Sequence, residues 1–173
     1  MSYDYEKSIR VFEDFPIKGI SFKDISTFLA DKEAFKHAID EMVELIAPYK
    51  PDYIVGPESR GFIFAAPLAY ALGCGFVVAR KPGKLPGEVV SATYKLEYGT
   101  DSLEIPAFAL EKGKKAVLVD DLLATGGTLS AIAGVLTSHG VEVPLAVCLI
   151  ELEDLKGRDA LPIPFVSLVK YPH

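Results

Sequence analysis

Residues 31–49, DKEAFKHAIDEMVELIAPY, set apolar side chains at Phe35, Ala38, Ile39, Met42, Val43 and Ile46. Spacings of three and four place these on one face of a helix over about 32–49, with Asp31 as its N-cap. Beyond it the period changes. Residues 53–56 form a short apolar run, 61–72 an apolar helix closed by Gly73, and 75–80 a second short run. Residues 116–119, 143–150 and 165–169 read as further buried strands. A helix over 127–139, closed by Gly140, separates the first two. Strands alternating with helices predict an α/β fold: an open, mainly parallel sheet flanked by helices.

Residues 81–106 interrupt that alternation. KPGKLPGEVV (81–90) carries two prolines and two glycines and reads as a loop. SATYKLEYGTDSLEIP (91–106) then alternates on either side of 98–101, as an antiparallel hairpin does. An insertion of this length in a compact domain is usually functional, as a lid is. With no internal repeat and no linker, residues 1–173 read as a single domain carrying a flexible flap at about 81–106.

Composition narrows the classes. Of 173 residues, half are hydrophobic and 24% are charged, which suits a chain that buries one core. The net charge of −6, with its cations spread out, argues against general nucleic-acid binding. No apolar run is long enough for a membrane span, and MSYDYEKSIRVFEDFP has no signal-peptide core. Cys74 and Cys148 sit in apolar contexts and read as buried free thiols, which fits a reducing, cytoplasmic setting. The cysteines and His37, His139 and His173 share no metal-ligand spacing, so no protein-held metal is expected.

The chemistry concentrates in VLVDDLLATGGT (117–128). A strand delivers Asp120 and Asp121 to its carboxyl end, where open parallel sheets bind ligands. Ala124, Thr125, Gly126, Gly127 and Thr128 then lead into a helix N-terminus, whose free N–H groups and dipole favour an anion. The two threonines add hydroxyl donors, and the loop suits a phosphate monoester. Acceptor-only carboxylates suit the two hydroxyls of a ribose, or a nearby Mg²⁺. A 5-phosphoribosyl group supplies both halves. The chain has no G-x-x-x-x-G-K-[ST] motif, and Gly73-Cys74-Gly75 lacks the third glycine of a dinucleotide fingerprint. It also has no G-x-S-x-G elbow.

This stretch resembles the 5-phosphoribosyl-1-pyrophosphate (PRPP) signature of the type I phosphoribosyltransferase family. FPIKGISFKDIS (15–26), ESRGF (58–62), RKPGKLPG (80–87), YKLEYGTDSLEI (94–105) and ELEDLKGR (151–158) are similar, in order, to its adenine phosphoribosyltransferases. The resemblance covers nearly the whole chain. It implies transfer of the phosphoribosyl group from PRPP to adenine with Mg²⁺, and a homodimer. Phe22 would stack on the purine, and the main chains of Ser21 and Lys23 would read its edge. Arg60, Arg80 and Lys84 would hold pyrophosphate, with Lys81 left to solvent. Glu97 would handle a purine proton and Tyr98 would help close the site. Glu104 reads as strand surface. The resemblance also implies a cis peptide at Glu58–Ser59.

The residues alone leave three other readings open. One is a relative acting on hypoxanthine, guanine or xanthine. Another is a PRPP-binding regulator, although the chain has no residues to spare for a DNA-binding segment. The third is a sugar-phosphate enzyme using the same loop.

Overall fold

The computed structural model describes residues 3–96 and 99–173. Its centre is a five-stranded parallel sheet of β3 (Tyr53–Pro57), β4 (Gly75–Ala79), β7 (Ala116–Leu123), β8 (Ala146–Leu152) and β9 (Phe165–Tyr171). The strands lie in the order β4-β3-β7-β8-β9. Both faces are covered, so the central strands are apolar at successive positions. Val117 and Val119 of β7 join a core with Phe28, Met42, Phe64 and Leu68. Ala116 and Leu118, on the alternate face, pack with Leu129, Ile132 and Leu136.

The helices are α1 (Ser26–Ala30), α2 (Lys32–Ile46), α3 (Arg60–Leu72), α4 (Gly127–Ser138) and the single turn α5 (Gly157–Ala160). Asp31 caps α2 as its sequence indicates, accepting from the N–H groups of Glu33 and Ala34 at 3.1 and 3.2 Å. Ala38, Met42 and Ile46 of the expected apolar face are fully buried. The helix stops at Ile46, and a 3₁₀ turn containing Pro48 carries the chain on to Tyr49.

Two smaller sheets complete the fold. β1 (Arg10–Phe12) and β2 (Phe22–Asp24) pair antiparallel, a ribbon the periodicity does not reveal. β5 (Val89–Leu96) and β6 (Gly99–Pro106) form the expected hairpin. Gly99, Thr100 and Asp101, which the sequence reading gave to the turn, are strand residues, with Leu96 paired to Gly99. Other strand ends move as well: β7 runs on to Leu123, β8 begins at Ala146 and ends at Leu152, and β9 reaches Tyr171. Both cysteines are free, but only Cys148 is fully buried. No helix among the described residues is long and apolar enough to cross a membrane.

Candidate active site

Strand order locates the site. After β3 the chain adds β4 on one side and later β7 on the other, so the carboxyl ends of β3 and β7 diverge. Such a switch point opens a crevice beyond the sheet. β3 ends at Pro57 and runs through Glu58 and Ser59 into α3, which begins at Arg60. The Glu58–Ser59 peptide is cis. Across the crevice, β7 carries Asp120 and Asp121. The cleft between them, about 210 Å³, is lined by Arg60, Lys81, Tyr94, Asp120, Asp121 and Thr128.

The aspartates do not end the strand, as the sequence suggested they would. They lie within β7, and Asp121 is only 5% exposed. Asp120 Oδ1 accepts from the Asp121 N–H at 2.8 Å. Gly61 lets the start of α3 approach this carboxylate, since a Cβ there would stand 3.0 Å from Asp120 Oδ1. Burial, and then the charge of Asp121, push the Asp120 carboxyl well above its ordinary value. Arg60 Nε lies 2.8 Å from Asp121 Oδ2. It sits off the line of a hydrogen bond, so this buried oxygen has an ion-pair contact but no aligned donor.

Residues 124–128 form a second concavity, of about 100 Å³, continuous with Asp120 and Leu129. Gly126 takes φ +83° at the N-terminus of α4, and no side chain caps that helix. Its first-turn N–H groups therefore face the concavity without a side-chain acceptor, which is the arrangement that receives an anion. Thr125 is exposed, and Thr128 lines both concavities.

Phe22, Phe12, Phe15, Arg10 and Asp24 line a third, mostly apolar cavity of about 390 Å³. Phe22 is half-buried, with Phe15 edge-on at 5.2 Å and the Arg60 guanidinium 5.8 Å from its ring. Arg60 thus stands between the aromatic shelf and the aspartates. Asp24 is drawn down to about 2, first by the Ser26 N–H and hydroxyl and then by Arg10. Lys23 is 4% exposed, and its side chain turns inward. Its Nζ donates to Ser21 Oγ at 2.7 Å and to the His173 carbonyl at 2.5 Å.

The remaining cations divide. Arg80 Nε donates to Glu58 Oε1 at 3.1 Å, and the same oxygen accepts from the Lys81 N–H at 2.8 Å. Lys81, expected in solvent, is exposed yet lines the cleft. Lys84 is exposed on the loop and does not itself line the cleft, but its N–H donates to the Lys81 carbonyl at 3.2 Å, and its charge adds to the pull of the Lys81 N–H and Arg80 that lowers the Glu58 carboxyl. Glu104 does more than cover strand surface, since its Oε1 accepts from the Gly83 N–H at 2.6 Å and orders that loop. The sequence reading missed Glu58, Lys81 and Tyr94, although ESRGF, RKPGKLPG and YKLEYGTDSLEI each contain one of them. Glu97 and Tyr98 lie outside the described residues. Among the described residues, no cluster of three or more His, Cys, Asp or Glu side chains could hold a metal ion.

The model of the phosphoribosyl transferase domain matches residues 24–169. The chain is 55% identical over 169 residues to the adenine phosphoribosyltransferase of Desulfitobacterium hafniense, covering 97% of this chain and 98% of that protein. The crystal structure of adenine phosphoribosyltransferase from Thermoanaerobacter pseudethanolicus is 50% identical. It superposes with a TM-score of 0.92, over 96% of this chain and 98% of that one. The Saccharomyces cerevisiae adenine phosphoribosyltransferase, solved with adenine and an imino-altritol bisphosphate, is 39% identical. It superposes with a TM-score of 0.90, over 95% of this chain and 96% of that one.

Proposed function

The chain belongs to the phosphoribosyltransferase family, and on that premise we propose that it transfers the 5-phosphoribosyl group of PRPP to N9 of adenine, giving AMP and pyrophosphate. One observation carries the assignment of roles: Arg60, the aspartate pair and the uncapped N-terminus of α4 meet at the β3–β7 switch point.

Residues 124–128 take the 5-phosphate, through backbone N–H groups and the hydroxyls of Thr125 and Thr128. Asp120 and Asp121 accept from the ribose 2′- and 3′-hydroxyls. Phe22 offers its ring to the base, and the Ser21 and Lys23 main chains read the base edge. As the C1′–O bond loosens, charge grows on the departing pyrophosphate. Arg60, Arg80 and Lys84 stabilise that charge. Arg60 is paired with Asp121 and Arg80 with Glu58, so engaging pyrophosphate exchanges one anion for another. N9 then attacks C1′ from the opposite face, with inversion.

By resemblance, Glu97 takes or relays the purine proton and Tyr98 helps close the site. The segment 81–106 acts as a flap on one domain and excludes water, which would otherwise hydrolyse PRPP. When Mg²⁺ is bound with PRPP, it would supply positive charge to the leaving group. The Asp120 and Asp121 carboxylates are hard oxygen donors of the kind that ion takes, and Asp121 Oδ2, which has only the Arg60 ion-pair contact, would have acceptor capacity to spare for it. We further propose a cytoplasmic homodimer. Val11, Phe12, Phe15, Ile17 and Ile20 form a run of exposed apolar side chains that suits an interface. A single-chain mass in solution would remove the dimer.

The deciding experiment is pyrophosphate release from PRPP and Mg²⁺ with each purine base in turn. Release with adenine is expected. Release only with another base overturns the specificity, and release with none overturns the reaction.

A further inference from the structure

We propose that Arg158 is a positioning residue for the phosphate loop, acting through Gly157 without touching the ligand. The inference rests on the assignment of residues 124–128 to the 5-phosphate.

It starts from a buried charge. Glu151 is 5% exposed on β8, paired in register with Leu123, the residue just before the loop. A carboxylate so placed requires donors. Arg158 supplies two in a fork, Nε to Oε1 at 3.1 Å and Nη2 to Oε2 at 2.7 Å. Ser167 Oγ donates a third to Oε2, at 2.7 Å. Hydrogen bonding from Arg158, ahead of that from Ser167, holds the Glu151 carboxyl below its ordinary value. The remaining arm, Nη1, donates to the Phe165 carbonyl at 2.7 Å, and the guanidinium lies 5.0 Å from the Phe165 ring centre. Arg158 is thereby fixed to both β8 and β9.

The neighbouring residue meets the loop. A Cβ on Gly157 would overlap the Ala124 carbonyl oxygen and stand 3.0 Å from Gly126 N. A Cβ on Gly126 would stand 2.5 Å from the Gly157 carbonyl oxygen. The two backbones are interlocked from both sides. Ser130 Oγ donates to the Ala160 carbonyl at 3.0 Å, which ties the far end of α5 to α4. Since α4 has no side-chain cap, the loop does not fix its own N–H directions in that way. α5 braces it from behind, and Arg158 latches α5 to the sheet. An Arg fork is required because a lysine ammonium cannot reach Glu151 and the Phe165 carbonyl with the same planar geometry.

The test uses the full-length chain, with Gly157→Ala and Arg158→Lys as variants. Both keep the Glu151 site supplied with a cation. Binding of ribose 5-phosphate is measured by calorimetry, and KM for PRPP and for adenine by pyrophosphate release. A small displacement of backbone donors is expected to weaken ribose 5-phosphate and PRPP about tenfold or more in Gly157→Ala. The expected loss in Arg158→Lys is about threefold to tenfold, with the adenine KM unchanged in both. A merely structural role would lower melting temperature without that split. Wild-type affinity in Arg158→Lys overturns the role of Arg158, whatever Gly157→Ala does. Equal losses for adenine and PRPP overturn it as well. Wild-type protein that fails to bind ribose 5-phosphate removes the loop assignment and this inference with it, an outcome separable from variant data alone.

Discussion

Replacing Asp121 with asparagine tests the centre of the proposed site, because the side chain keeps its shape while it loses its charge and exchanges one acceptor oxygen for an NH₂ donor. Two effects oppose each other. Arg60 loses its ion-pair partner and becomes freer to meet pyrophosphate. Its side chain is 41% exposed, so solvent screens the pair and its loss is worth at most about 1 kcal/mol. Relief of repulsion with Asp120 offsets part of that loss, and fold stability should change little. The ribose contact is larger. A hydrogen bond to an ionised carboxylate contributes about 1.5–3 kcal/mol. At tenfold per ~1.4 kcal/mol, this predicts PRPP binding weaker by about 10- to 150-fold. The ribose term therefore outweighs the freed arginine. The assay is PRPP titration by calorimetry together with KM for PRPP and adenine. A raised PRPP KM with a near-normal adenine KM is expected. Wild-type PRPP affinity and turnover in Asp121→Asn would refute the assignment of this carboxylate to the sugar.

Two further predictions concern stability. Burial and the Asp121 charge raise the Asp120 carboxyl, so its ionised form costs folded stability. That cost is fully present above the folded pKa and vanishes below the ordinary value near ~4. Asp120→Asn should thus melt at a higher temperature than wild type at mildly alkaline pH, and the gap should close on acidification, while turnover falls. Equal melting temperatures at alkaline pH would contradict the burial argument. Asp31→Ala removes the α2 cap and the partner of Ser8 Oγ, which donates to it at 2.7 Å. A loss of about 0.5–2 kcal/mol in urea unfolding is expected, with room-temperature activity unchanged.

Much of the framework was legible because it is local. The α2 face and its aspartate cap follow from spacing alone, and strands buried on both sides appear as unbroken apolar runs. The β1–β2 ribbon gives no such signal. Its strands have three residues each, and Arg10–Phe12 is wholly exposed. Gly99, Thr100 and Asp101 read as turn because their residue types have turn chemistry, whereas the strand register is set by the buried pair Ala92 and Leu103. The glycine-rich loop and both aspartates were readable as chemistry. Their burial was not, since it depends on α3 crossing close above β7 at Gly61. Strand order and the link from Glu58 to Arg80 join residues far apart in sequence, so no window of sequence contains them.

The hairpin ends up with two unlike halves. Ala92, Leu103 and Ile105 at its root are buried, and the exchange of backbone hydrogen bonds between Arg80 and Glu104 ties that root to the end of β4. Lys95, Leu96, Gly99 and Thr100, further out, are exposed, and neither strand belongs to the five-stranded sheet. The hairpin is therefore a modular arm on a fixed footing. A fluorophore at the exposed Thr100 alters the arm without disturbing the joint, which makes this the place to install a reporter of what the crevice holds.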